Sequence, residues 1–74
     1  MTNELDATGL RCPLPVLRAK KRLKDVPLGG MLRVLATDPD AVKDFEAFCA
    51  ETGNELIEWS RDGEVFRITI QKSA

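Results

Sequence analysis

The sequence predicts an α+β domain with the element order βαβαββ, in which two helices cover one face of a four-stranded mixed sheet. Three observations lead there. Apolar residues alternate with a period of two in some segments and recur at spacings of three and four in others. Pro and Gly residues punctuate the chain between those segments. Asp62-Gly63, between the last two alternating runs, is a hairpin signal that makes those strands antiparallel neighbours. With 74 residues the chain is expected to be one domain, spanning residues 1–74, near the lower size limit for folding without disulfide or metal staples.

The first strand is expected over Glu4–Ala7, where Leu5 and Ala7 alternate with Glu4 and Asp6, and Thr8-Gly9 turns the chain. A helix follows from Pro13 to about Asp25, with Val16, Ala19, Leu23 and Val26 forming one apolar stripe. Pro13 fits the first helical position and Pro15 still lies in the first turn, where a missing N–H costs no internal hydrogen bond. Pro27, Gly29 and Gly30 end this helix. Met31–Thr37 reads as a central strand, with Leu32, Val34 and Ala36 on one side and Leu35 on the other. Asp38-Pro39-Asp40 reads as an N-cap, a first-position proline and a first-turn acid. The second helix places Ala41, Phe45, Phe48, Cys49 and Thr52 on one face and ends at Gly53. Glu55–Arg61 alternates, with Ile57 and Trp59 opposite Leu56, and Val65–Gln71 returns with Phe66, Ile68 and Ile70 on one face. The other face of the sheet is left open to solvent or a partner.

Composition excludes several kinds of chemistry. Histidine and tyrosine are absent, so neither a Ser-His nor a Cys-His nucleophile can be built within the chain, and no metal site is expected. Two cysteines, far apart and without a Cys-x-x-Cys spacing, do not make a disulfide framework and read as thiols. No apolar run approaches the roughly 18 residues of a membrane span, and the N-terminus lacks the basic and apolar regions of a secretory signal. A cytoplasmic location is therefore expected. The net charge of −1 is unevenly placed: Arg11 to Lys24 holds six basic residues and no acid, and the remainder holds five basic and twelve acidic residues.

Cys12 stands at the start of that basic segment, in Gly9-Leu10-Arg11-Cys12-Pro13-Leu14-Pro15. Its place before a helix start, next to Arg11, predicts a thiol whose ionised form is favoured by free N–H groups, the helix dipole and a neighbouring cation. Pro13 and Pro15 stiffen the turn and bias Cys12 to an extended backbone that presents the sulfur outward. The residue three after Cys12 is Pro15 and not a second cysteine, so no local thiol can resolve a mixed disulfide. A lone thiolate of this kind suits persulfide transfer better than disulfide exchange.

The stretch Leu5-Asp6-Ala7-Thr8-Gly9-Leu10-Arg11-Cys12-Pro13-Leu14-Pro15 resembles the TusA/SirA-like family of small sulfur carriers and contains that family's Cys-Pro-x-Pro signature. Asp38-Pro39, Phe48-Cys49 and the closing hairpin fall where the family has similar features, so the resemblance spans nearly the whole chain. It implies a two-layer α/β sandwich and a persulfide on Cys12, with no other cofactor. It further implies partners on two sides: a cysteine desulfurase or other sulfur donor, and a downstream acceptor in tRNA thiolation, molybdenum cofactor maturation or sulfur oxidation. The chain would then be a sulfurtransferase in the broad sense, a monomeric carrier that does not turn over by itself.

The remaining signals sort by position. Arg18, Lys21 and Arg22 share one side of the first helix, with Leu14 one turn before Arg18. They are either a solvated face or a patch that steers an acidic partner toward Cys12. Cys49 reads as core, beside Phe48 and on the face of Phe45. Trp59 reads as sheet packing. Two other functions fit a basic helix on a small α/β domain: an RNA-binding module, and a regulatory interaction domain with an incidental thiol. Aromatics make up only 5% of residues and none interrupts the basic run, which counts against RNA.

Overall fold

The computed structural model describes residues 3–73. It contains β1 (Asn3–Ala7), α1 (Leu14–Leu23), β2 (Met31–Ala36), α2 (Ala41–Thr52), β3 (Glu55–Asp62) and β4 (Val65–Gln71). The strands form one four-stranded sheet in the order β1-β2-β4-β3. β1 and β2 are parallel, joined through α1, and the β2–β4 and β3–β4 pairs are antiparallel. The expected mixed sheet is therefore present, with β2 central.

Register explains the two layers. Leu5, Val34 and Ile68 lie side by side across three strands, as do Ala7, Ala36 and Phe66, and Leu32 pairs with Ile70. Opposite residues share a sheet face, so one face is an apolar surface. Both helices close over it: Ala19 and Leu23 from α1, and Ala41, Phe45, Phe48 and Cys49 from α2, join those strand residues in the buried core. The opposite face reads Glu4, Arg33 and Thr69 in one row and Asp6, Leu35 and Arg67 in the next, a largely polar surface.

Several elements differ in detail from the sequence expectation. α1 begins at Leu14 and not Pro13, so Pro15 occupies the second helical position and is buried with Ala19 and Leu23, while Val16 is only half-buried. α2 begins at Ala41 with Asp40 as its cap residue. Asp38 lies two residues before that cap: one oxygen of its side chain accepts the Asp40 N–H, and the other reaches the loop after β1. Gly53 ends α2 as expected, with φ of 79° and its N–H donating to the Cys49 carbonyl. The hairpin turn is Gly63–Glu64, since β3 runs on through Asp62, which pairs with Val65.

β3 carries the largest departure. A β-bulge between Leu56 and Glu58 adds one residue to the strand, so Leu56 pairs with Ile70 and Trp59 pairs with Ile68. The bulge reverses the alternation, and Trp59 lies on the same face as Leu56 instead of the opposite one. Trp59 stays 48% exposed, its ring 6.0 Å from that of Phe66. No helix among the described residues is long and apolar enough to cross a membrane.

Candidate functional site

The parallel strands β1 and β2 end level with each other, Ala7 beside Ala36. The loops that leave them therefore meet at one end of the sheet, the place where parallel α/β units gather functional groups. The loop after β1 is shaped locally first. Asp6 accepts hydrogen bonds from the Thr8 N–H (3.0 Å) and hydroxyl (2.6 Å), which hold its carboxyl below the usual range. Gly9 adopts φ of 80°, a conformation that favours glycine. Two bonds then lace this loop to the one after β2. The Gly9 N–H donates to Thr37 Oγ1 at 2.9 Å, and the Cys12 N–H donates to Asp38 Oδ2 at 2.6 Å. The other oxygen of Asp38, Oδ1, accepts the Asp40 N–H at 3.0 Å. The Cys12–Pro13 peptide bond is cis.

Cys12 is exposed and its thiol is free, whereas Cys49 is free but buried in the core, where desolvation pushes its thiol up. The charges around Cys12 run against the expected ionised form. A side-chain hydrogen bond to Asp44 is the largest influence and raises its pKa above the ordinary cysteine value, followed by desolvation and the negative charges of Asp44, Asp38 and Asp40. The physical reason lies in both helix starts. Pro13 and Pro15 have no N–H, and the Leu14 N–H is donated to the Arg11 carbonyl at 2.9 Å, so the start of α1 has few donors left for the sulfur. The acids at the start of α2 face the thiol instead. Arg11 lines a groove with Gly9, Leu10, Asp38, Arg61 and Phe66, and the influences on the sulfur come from the acids and from desolvation. Pro13 borders Cys12 directly, and Pro15 acts through burial, anchoring the first turn of α1 to the core.

The residues expected to meet a partner are brought together. Leu14, Arg18, Lys21 and Arg22 line a shallow groove along α1 with Leu5, Leu17 and Asp25. Leu14 and Leu17 are 45% and 52% exposed, which leaves apolar surface between cations. Arg22 is also tied to β1, donating to the Glu4 carbonyl at 3.0 Å. Sequence reasoning passed over Leu17. Its signal was present: it sits three residues after Leu14 and off the Ala19–Leu23 stripe. It also passed over Asp44, and it assigned Asp38 a helix-capping role. No local pattern pairs either acid with a cysteine more than 20 residues away.

Fold and site together define a class: a small two-layer α/β domain that presents one exposed cysteine from a loop held rigidly at the end of its parallel strands. Comparison with known proteins gives the family. The model of the family described as Sulfurtransferase TusA matches residues 3–72, and the chain belongs to that family. It is 57% identical over 70 residues to the sulfur carrier protein TusA of Allochromatium vinosum, covering 95% of this chain and 92% of that protein. Identity to the sulfur carrier protein TusA of Pseudomonas aeruginosa is 41% over 70 residues, or 95% and 89% of the two chains. The crystal structure of a SirA-like protein from Desulfitobacterium hafniense superposes with a TM-score of 0.83 at 29% identity, over 100% of both chains.

Proposed function

We propose that this chain is a sulfur carrier in which Cys12 accepts a sulfane sulfur as a persulfide from a donor protein and passes it to an acceptor. One observation supports this above the others. Of the two thiols, only Cys12 is exposed, and it is fixed by its loop where the two parallel strands end.

The transfer needs no outside oxidant or reductant. The Cys12 sulfur attacks the outer sulfur of a donor persulfide, a new S–S bond forms at Cys12, and the donor's S–S bond breaks. The electron pair of that bond leaves with the donor's thiolate, which takes up the proton that Cys12 releases. The acceptor thiolate repeats the step on the Cys12 persulfide. At neutral pH the raised Cys12 pKa leaves little thiolate, but each thiolate formed is intrinsically more nucleophilic. The low thiolate fraction also protects the idle carrier from oxidation.

The groove along α1 is the docking surface in this reading. Leu14 and Leu17 supply apolar contact, while Arg18 and Lys21, with Arg22, attract an acidic surface and speed encounter. A cysteine desulfurase is the donor class to test first. Incubated with such an enzyme and cysteine, the chain gains the mass of sulfur in a form that reductant removes, and Cys12→Ser gains none. An adduct that survives Cys12→Ser, or no adduct on the wild type, contradicts the assignment.

A further inference from the structure

We propose that Asp38 is the positioning residue of sulfur transfer, holding the Cys12 main chain in the orientation from which the sulfur meets its partner. The proposal rests on Cys12 being the sulfur-bearing residue.

The argument starts from where the Asp38 carboxylate is and what it touches. Its residue is 9% exposed, so its charge lies largely out of solvent, and both oxygens are occupied by main-chain donors. Oδ2 takes the Cys12 N–H at 2.6 Å and Oδ1 takes the Asp40 N–H at 3.0 Å. The first bond spans 26 residues of sequence and the second only two, so one side chain ties the nucleophile's loop to the start of α2. Charge-assisted bonds to a partly desolvated carboxylate are short and directional. The second bond fixes the carboxylate itself, and the first then fixes Cys12.

The location of the charge points the same way. The Asp38 charge disfavours the Cys12 thiolate, so it does not activate the sulfur. Its contribution to transfer is therefore geometric. Cys12 has prolines on one side and an exposed surface on the other. Without the Asp38 bond its loop retains only the Gly9–Thr37 link across to the loop after β2 among the hydrogen bonds described. A sulfur that shifts by about 1 Å against a partner persulfide loses about a hundredfold in rate.

Asp38→Asn tests this, because the amide can accept one N–H but turns its own donors toward the other. Loading of Cys12 by a cysteine desulfurase with cysteine should fall about tenfold to a hundredfold. Alkylation of Cys12 by iodoacetamide should not slow, and the midpoint of its pH profile should move down, since a negative charge near the sulfur is gone. A residue that only maintains the fold lowers both reactions together with the melting temperature. Wild-type loading in Asp38→Asn, or alkylation slowed in proportion to loading, overturns the proposal. Hydrogen exchange on the unmodified chain gives a second reading that needs no variant: the Cys12 amide should be protected, and exchange at the rate of an unstructured peptide overturns the proposal. If Cys12→Ser loads as well as wild type, or if wild type takes no sulfur, the Cys12 assignment fails and the role of Asp38 fails with it. Normal loading of Asp38→Asn with an inert Cys12→Ser removes Asp38 alone.

Discussion

At the sulfur atom, exposure and electrostatics pull in opposite directions. Cys12 is open to any reagent, yet Asp44 hydrogen-bonds the thiol, and Asp38 and Asp40 add negative charge. Those groups raise its pKa, so at neutral pH the thiol form dominates and reactivity climbs only as pH passes the ordinary thiol range. Iodoacetamide should alkylate Cys12 more slowly at pH 7 than it alkylates free cysteine, with a midpoint above the free value. In Asp44→Asn the hydrogen bond weakens and a charge is lost, so the midpoint should fall and the pH 7 rate should rise. A profile unchanged in Asp44→Asn contradicts this account of the site. The sequence made Cys12 legible as the outward-facing thiol, through Gly9, Arg11 and the two prolines around it. It did not make its electrostatics legible. The basic run is contiguous in sequence, but the groups that face the sulfur come from positions 38–44, and only the level ends of β1 and β2 bring them there.

At the scale of elements, α2 gives the buried core Ala41, Phe45, Phe48 and Cys49, more side chains than any other element described, and carries one conformational requirement. Phe45 is fully buried against the sheet, and its ring meets Phe48 edge-on at 6.3 Å. Phe45→Ala should cost about 3–5 kcal/mol of unfolding free energy, a large share of what a domain of this size has. Gly53→Ala should cost about 1 kcal/mol, because φ of 79° is strained for a side chain. Urea titration measures both. Cys49 links α2 to pH. Its folded pKa lies above its unfolded value, so its contribution to stability is complete below about pH 8.5 and is lost as pH rises beyond that. The wild type should therefore lose melting temperature above about pH 9 more steeply than Cys49→Ala does. Helix faces and the order of elements along the chain followed directly from periodicity, as Ala19–Leu23 and Phe45–Cys49 show. Trp59 did not, because one bulged residue in β3 inverts a pattern of period two and leaves no mark in composition.

The whole molecule is electrically divided. α1 and its flanks present cations around Leu14 and Leu17, and acids surround the sulfur at the start of α2. A partner that fits both must carry an acidic surface toward α1 and tolerate, or neutralise, the acids beside Cys12. Replacing Arg18 and Lys21 together by Glu should slow association with a sulfur donor about tenfold at low salt, and added salt should shrink the difference. Stopped-flow or surface binding measures it, and an unchanged on-rate at low salt removes α1 as the docking face. The expectations for sulfur transfer and for docking depend on sulfur residing on Cys12. Intact-mass analysis of the chain after incubation with a cysteine desulfurase and cysteine tests that most directly. The account predicts one added sulfur, removed by reductant and absent from Cys12→Ser. Equal loading of Cys12→Ser would contradict it.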